Sequence, residues 1–264
     1  MAGAFVGGTH TRRFADNLVA SLTQHQIATV REQLDGGAGG ELKPTGSGKR
    51  RAHAPYSSAA LAANTFGRWL GAEQHLHVAG LHGFDQSLRL EHKLQIAHGG
   101  GVANLDCALQ SPTLLVGVES KLTEMLQEHE PVPWRDPYRS ADMSGLLDGG
   151  WSSAFRASLD DDWTPRYLGL EQLIKHALAL NSHKGDRAAH LVYLYWEPAN
   201  APDLPEVTAH RSELSRLVEL VNGATPEFHP LRYSNLLDEW LRLGEPDWIV
   251  GHTDELRARY DVTI

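Results

Sequence analysis

The feature that most constrains the fold is a short apolar run that ends in charged residues. Residues 114–118 read Leu-Leu-Val-Gly-Val and are followed by Glu119, Ser120 and Lys121. A run of this length, rich in aliphatic residues and preceded by Ser-Pro, is typical of a strand buried within a sheet. Charged groups at the end of a buried strand cost free energy unless they are paired or bind a metal. The run therefore predicts a buried strand with a polar site at its carboxyl end.

A second acidic residue is expected beside this strand end. Asp106 precedes Glu119 by thirteen positions in the chain. Residues 110–113 can form a tight reversal, which would lay Asp106 on the neighbouring strand. Because side chains alternate along a strand, Glu119 and Lys121 share one face while Ser120 points to the other. Two carboxylates and one ammonium group are therefore predicted to meet on one patch.

Composition restricts the classes of function. The 264 residues carry a formal net charge of -9, which argues against broad non-specific affinity for nucleic acid but is compatible with a local basic cleft. No apolar stretch approaches the ~20 residues of a membrane-spanning helix, and the N-terminus lacks the basic start of a signal peptide. Cys107 is the single cysteine, so an internal disulfide is impossible and a reducing compartment fits. We therefore expect a cytoplasmic protein without a membrane partner, in which Cys107 is a small core residue.

Periodicity predicts a mixed sheet with helices on its faces. Helices are expected over residues 12–34, 57–70, 168–181 and 208–222. Strands are expected over residues 88–96, 104–109, 114–121 and 191–196. Short turns join the first three strands, so these should be antiparallel, while the fourth can return by a crossover and pair in parallel. The core order is helix, three strands, helix, strand, which is an αβββαβ arrangement.

The distribution of glycine, proline and aromatic residues suggests a domain organisation. Residues 1–55 are expected to form an N-terminal helix and a flexible Gly-rich linker, and residues 56–264 a single domain. Within that domain, the stretch 123–166 is too long for a simple connection, which favours a functional insertion or lid. Its aromatic side chains could stack on bases, but packing as an internal core is the favoured interpretation. These residues are Trp134, Tyr138, Trp151, Phe155, Trp163 and Tyr167.

The chemistry of the acidic patch favours a divalent metal ion. Asp106 and Glu119 offer hard oxygen ligands that suit Mg²⁺, and the carbonyl of Ser120 could supply a third. Lys121 would then position or deprotonate a water nucleophile and stabilise negative charge on a phosphate. The 15 histidines raise the alternative of zinc, for example at residues 75–77, but no Cys or His pair completes such a site at a recognised spacing.

The arrangement of Asp106 and the triplet 119–121 resembles the active-site motif of the PD-(D/E)XK nuclease superfamily. Three segments together look similar to a bacterial subgroup described as restriction endonucleases: residues 104–106, 117–121 and 172–176. The likeness extends over residues 56–235. It implies a restriction-endonuclease-like α/β core and Mg²⁺-dependent hydrolysis of phosphodiester bonds, with Mn²⁺ as a substitute. It also implies DNA as the partner, and cutting of both strands is compatible with a homodimer.

The resemblance suggests two further site residues. Superfamily members often carry Gln or Lys on the helix after the Glu-X-Lys strand, and Gln172 fits this position, where it would orient water or phosphate. Many members also carry an acidic residue on the first core helix, but residues 59–70 contain none. Glu91 on the first strand is the nearest substitute, and the competing interpretation of Glu91 is a solvent-facing strand residue.

Two functions of other classes remain open. A non-catalytic nucleic-acid-binding or regulatory protein would keep the fold without turnover, and the acidic net charge and the missing helix acid favour it. A phosphohydrolase acting on a small nucleotide would tolerate an acidic surface better than an enzyme that binds long DNA.

Overall fold

Two β-sheets organise the part of the chain that this computed structural model describes, which comprises residues 5–6, 10–37, 40–46, 49–130, 132–140, 143 and 145–264. A small sheet pairs β1 (Phe5–Val6) with β2 (His10–Thr11). The larger sheet has the spatial order β3 (Ser87–Ile96), β4 (Gly101–Gln110), β5 (Leu114–Lys121), β6 (Ala188–Tyr195) and β7 (Glu227–Arg232). Strands β3 to β5 pair antiparallel, whereas β5 to β7 pair parallel. The mixed sheet that the sequence predicted is therefore confirmed.

Helices cover both faces of the larger sheet. The α-helices of the described residues are α1 (Gln24–Gly36), α2 (Ser58–Phe66), α3 (Gly149–Leu159), α4 (Leu170–His183), α5 (Pro205–Val221), α6 (Tyr233–Leu243) and α7 (Ile249–Tyr260). Short 3-10 turns occur at residues 14–17, 51–53, 67–69, 73–75, 124–126, 136–139 and 201–203. Within the described ranges, no helix combines the length and apolar character needed to cross a bilayer.

The two faces of the sheet contact two separate apolar clusters, because side chains alternate along each strand. Val116, Val118 and Val192 belong to the cluster that α1, α2, α6 and α7 cover. Leu115 and Leu191 belong to the cluster that α3, α4 and α5 cover. Strands β5 and β6 are thus buried on both faces, which explains their continuous apolar runs. The restriction-endonuclease-like α/β architecture expected from the sequence agrees with this layering.

The start of the first helix differs from the prediction over residues 12–34. The Thr23 side chain accepts a hydrogen bond from the N–H of Gln26, and the Gln26 side chain accepts one from the Thr23 N–H. This capping box begins helix α1 at Gln24, so Phe14 belongs to a separate 3-10 turn, and Leu18 and Leu22 lie between that turn and the helix. Ser57 caps α2 with its side-chain oxygen, which confirms the predicted start of the second helix.

Residues on both sides of the predicted boundary at residue 55 share one apolar cluster. Leu18 and Val30 pack in the same cluster as Leu61 of α2 and Val118 of β5. Ala52, in the interval expected to be a linker, is also buried there. The division into residues 1–55 and 56–264 stays a prediction, but the described N-terminal residues contribute to the core of the sheet domain.

The stretch 123–166 contains helix α3 and packs on the sheet. The ring of Trp134 lies 4.9 Å from that of Tyr138 and 5.1 Å from that of Phe155, measured between centroids. Five of the six aromatic residues belong to the cluster under α3, α4 and α5: Trp134, Tyr138, Trp151, Phe155 and Trp163. The packing interpretation is confirmed for these five, and their burial leaves little ring surface for bases. Tyr167 is only partly buried.

Strand β7 and helices α6 and α7 extend the fold beyond the elements that periodicity predicts. Strand β7 reads Glu-Phe-His-Pro-Leu-Arg and pairs only with β6 in the described sheet. Proline has no N–H to donate to a neighbouring strand. Pro230 is tolerated in β7 because β7 is an edge strand, where one side of the backbone needs no partner. A proline and alternating polar residues give a weak strand signal, which explains why the sequence did not indicate this strand.

Gly150 marks a close approach between α3 and α5. A Cβ atom at this position would lie 1.7 Å from the backbone oxygen of Leu220. Gly150→Ala is therefore expected to push the helices apart and to lower the free energy of unfolding by roughly 1–3 kcal/mol. Gly251→Ala in α7 is the matched control, because nothing lies within 4 Å of its Cβ. Urea denaturation should show the control unchanged or stabilised by about 0.4–1 kcal/mol, and equal stability of the two variants would contradict the close approach.

Candidate active site

Strands β4 and β5 separate near the carboxyl end of β5, and the acidic patch lies at this split. The main-chain pairing of the two strands ends with Cys107 opposite Val118. One position further along, the Asp106 carboxylate accepts a hydrogen bond from the N–H of Ser120 at 2.7 Å. A side-chain contact thus holds the two strands where their ladder stops. Asp106 is thereby placed beside the end of β5, next to the position of Glu119.

Glu119 is almost fully enclosed, with 2% of its side chain exposed, and both of its oxygens have partners. Lys121 Nζ donates to Oε1 at 2.6 Å, and His176 Nε2 donates to Oε2 at 2.7 Å. Burial opposes ionisation of Glu119, but Lys121 and His176 outweigh burial and lower its pKa to about 2. Glu119 is therefore ionised at neutral pH.

Lys121 connects the strand end to helix α4. Besides its contact with Glu119, Lys121 Nζ donates to Oε1 of Gln172 at 2.9 Å. Burial disfavours the charged form of Lys121, but Glu119 and Asp106 outweigh burial and raise its pKa. Gln172 and His176 are four positions apart and so lie on one face of α4. The helix therefore brings two polar side chains to the patch.

Negative charge is in excess around Asp106. Burial and the neighbouring Glu119 carboxylate raise the pKa of Asp106 well above its usual range, and Glu91 contributes in the same direction. Lys121 and the Ser120 N–H act against this shift without cancelling it. Asp106 therefore resists ionisation in the absence of another cation, which makes it the electrostatically unsatisfied member of the patch.

Glu91 is buried rather than solvent-facing. Only 7% of this residue is exposed, and its carboxylate accepts a hydrogen bond from the Asn104 side chain. Its φ of 50° lies in the left-handed region, which breaks the regular alternation of β3. The interpretation of Glu91 as a solvated strand residue is therefore wrong. Burial raises the pKa of Glu91, and although the Asn104 hydrogen bond opposes this, Glu41 and Glu119 add to the rise.

Ser120 contacts both sides of the sheet. Its N–H faces Asp106, while its hydroxyl forms a hydrogen bond of 2.6 Å with the Tyr233 hydroxyl on the other face. This agrees with the alternation expected for residues 119–121. The use of the Ser120 carbonyl as a metal ligand stays a prediction. Cys107 is buried, as predicted for a small core residue.

The donor atoms of the patch suit a hard divalent cation. Asp106 and Glu119 offer carboxylate oxygens, the ligand type that Mg²⁺ and Mn²⁺ prefer, and a cation would relieve the charge that raises the Asp106 pKa. Glu91 does not complete a tight three-carboxylate site, since no three acidic or histidine ligand atoms of the described residues lie within 4.8 Å of one another here. Mg²⁺ often takes only one or two carboxylates, with water and substrate phosphate completing its shell. The two carboxylates of Asp106 and Glu119 are therefore enough protein ligands for one Mg²⁺ ion.

The histidines that contact possible metal ligands are not the ones that the sequence pattern singled out. Among the described residues, His75 and His77 belong to no group of three close ligand atoms, and His75 lies in a 3-10 turn rather than on a strand. His176 is 2% exposed and contacts Glu119, and the signal for it in the sequence is its position one helical turn after Gln172. Among the described residues, one group of three potential ligands has all its ligand atoms within 4.8 Å of one another, and it lies elsewhere: His190, Glu227 and His229.

Comparison with known proteins gives a match to a family model. The model is described as "Restriction Endonuclease associating with ARP" and matches residues 7–261. The match includes the N-terminal segment that packs on the sheet, beyond residues 56–235 where the sequence resemblance was found. No curated protein and no solved structure matches the chain.

Proposed function

The chain belongs to the family of restriction endonucleases associating with ARP, and from this premise we propose that it hydrolyses phosphodiester bonds in nucleic acid with a divalent cation. The observation that carries the proposal is the Asp106 carboxylate, held beside Glu119 with its pKa raised. Burying two carboxylates side by side is unfavourable for folding, which favours a chemical role for the pair over a stabilising one.

Asp106 and Glu119 are the proposed ligands of Mg²⁺ or Mn²⁺, with the Ser120 carbonyl as a third protein ligand. When bound, the cation would supply Lewis-acid activation of the phosphate and acidify a bound water. The protein's own contribution is to keep both carboxylates fixed before the ion arrives. The Ser120 N–H orients Asp106, and Lys121 and His176 hold the two oxygens of Glu119.

Lys121 is proposed to act as a charged group rather than as a base. Its raised pKa means that the ammonium form is present at neutral pH. A lysine that keeps its proton can donate hydrogen bonds to the attacking water and to a phosphate oxygen, where negative charge grows during the reaction. Gln172, which accepts from Lys121, would orient the ammonium group and the water.

Glu91 and His176 are proposed to support this centre in different ways. Glu91 is buried close enough to Asp106 to raise the pKa of Asp106. Glu91 can therefore substitute for the acidic residue that the first core helix lacks. We propose that it binds cation-coordinated water rather than the cation itself. His176 acts as a positioning residue, because its buried Nε2 fixes the carboxylate plane of Glu119.

DNA is the proposed substrate, and a second copy of the chain is the proposed partner for cutting both strands. The net charge of -9 confines DNA contact to a local surface. The family description also names an association with ARP, and we propose the same association here on family membership alone. A cytoplasmic location stays an expectation.

Incubation of supercoiled plasmid and single-stranded DNA with the purified chain tests the proposed activity. We expect nicked or linear product with Mg²⁺ or Mn²⁺ and no product with EDTA, because the Asp106 and Glu119 carboxylates require a cation. The variant Glu119→Gln, purified in parallel, controls for contaminating nucleases and should give no product. DNA binding without cleavage would favour the non-catalytic alternative, and release of phosphate from mononucleotides alone would favour the phosphohydrolase.

A further inference from the structure

Two histidines and one glutamate converge on strands β6 and β7, on the face of the sheet opposite Glu119. His190 lies opposite Glu227 in the parallel ladder, and His229 follows Glu227 by two positions. Residues two apart on a strand share a face, so the three side chains stand together. Glu119 lies opposite Tyr193, three positions after His190, and therefore belongs to the other face.

The distances between the three groups match those expected of ligands to one metal ion. His190 Nδ1 lies 3.0 Å from His229 Nε2. The Glu227 carboxylate oxygens lie 3.6 Å from His190 Nδ1 and 3.8 Å from His229 Nε2. Ligand bonds of ~2.0–2.1 Å in a tetrahedral site place neighbouring ligand atoms ~3.3 Å apart. The observed separations lie on either side of this value, so small side-chain movements would complete the geometry.

We propose that His190, His229 and Glu227 bind a transition-metal ion of the Zn²⁺ type, at a site separate from Asp106 and Glu119. Imidazole nitrogens with one carboxylate suit Zn²⁺, whereas Mg²⁺ prefers oxygen ligands alone. Three protein ligands leave one coordination position open. His190 and Glu227, two of the three proposed ligands, also border an open cleft of about 470 Å³.

The proposed ligands differ in burial, as expected if one ligand moves into place when the ion binds. His190 is 7% exposed, and so its ring is held in place by packing. Glu227 is 66% exposed in its side chain and can turn toward the imidazoles at small cost. An ion held by His190 on β6 and by Glu227 and His229 on β7 would cross-link the edge strand to the sheet through side chains. Binding of the ion should therefore also stabilise the pairing of β7 with β6.

Metal titration tests the site without reference to nuclease activity. The purified chain, stripped with EDTA and desalted, is titrated with Zn²⁺ by calorimetry and with Co²⁺ by visible absorption. Wild type and Asp106→Asn should each show one tight Zn²⁺ site and a tetrahedral Co²⁺ spectrum. His229→Ala should lose both signals, and Glu227→Gln should bind at least about 10-fold more weakly. His25→Ala, which removes an exposed histidine, is the matched control and should bind as wild type does.

Two results would overturn the proposal. Wild type without a Zn²⁺ site would reduce the cluster to a hydrogen-bonded histidine pair. Zn²⁺ binding that survives His229→Ala and disappears in Asp106→Asn would assign the ion to the other carboxylates. Because Glu227 is exposed, Glu227→Gln should keep the native circular dichroism spectrum, so a loss of affinity in that variant reports the ligand and not the fold.

Discussion

Lys121→Met should lower the rate of metal-dependent DNA cleavage by about 10²–10⁴-fold, the loss typical of removing a group that acts on the reacting water and phosphate. Methionine keeps most of the aliphatic stem but cannot donate a hydrogen bond. Metal affinity should persist, because Asp106 and Glu119 remain. Single-turnover cleavage of a labelled duplex, with Mn²⁺ binding measured on the same preparations, gives both quantities. Lys184→Met changes a lysine away from the patch and should cleave as wild type does.

The same substitution should also destabilise the protein. From the sequence, the Glu119–Lys121 pair could equally be a surface pair worth ~0–1 kcal/mol, but Glu119 is 2% and Lys121 12% exposed in their side chains. Removing one partner of a buried pair leaves an uncompensated charge and typically costs about 3–5 kcal/mol. We therefore expect the melting temperature of Lys121→Met to lie well below that of wild type.

A double variant tests whether an unpaired buried charge causes the loss of stability. Glu119→Gln with Lys121→Met removes both charges and should recover most of the melting temperature lost in Lys121→Met, since no buried charge is left unpaired. Its cleavage activity should stay undetectable. If the double variant melted no higher than Lys121→Met, the lost stability would not come from an unpaired Glu119 charge. If Lys121→Met cleaved at the wild-type rate, the proposed mechanism would be wrong.

The parts of the site that lie on consecutive strands could be predicted from the sequence. The apolar run before Glu119 and the reversal after Asp106 specify two neighbouring strands, and period-two alternation then specifies the faces of Glu119, Ser120 and Lys121. These are local rules, and the structure follows them. Gln172 was found by resemblance and by its place on the next helix, and it indeed contacts Lys121.

The contacts that could not be predicted depend on local strain or on distant segments. In the sequence, Glu91 falls on the charged face of its strand with Arg89 and Lys93, and only its left-handed backbone turns it into the interior. His190 and His229 are 39 positions apart and meet because β6 and β7 pair in parallel. Because β7 contains Pro230 and gives a weak strand signal, hydrophobic periodicity does not predict this pairing.

Asp106→Asn should abolish cation binding at the patch and cleavage, and yet stabilise the metal-free protein at neutral pH. Burial and Glu119 raise the folded-state pKa of Asp106, so the unfolded chain ionises more readily than the folded one. The Asp106 contribution to stability is therefore fully present below the unfolded pKa of ~3.9 and is lost as pH rises toward the folded pKa. Asparagine is neutral throughout and keeps an oxygen that can accept from the Ser120 N–H.

The stability difference between Asp106→Asn and wild type should accordingly grow with pH. Thermal melts in EDTA should give similar melting temperatures near the acidic end of the range and a higher value for Asp106→Asn near neutrality. Adding Mn²⁺ should raise the melting temperature of wild type only, because the ion binds the ionised carboxylate that the variant lacks. Asp85→Asn, at an exposed aspartate, should show neither effect. A variant less stable than wild type in EDTA at neutral pH would mean that the Asp106 carboxylate serves folding rather than catalysis.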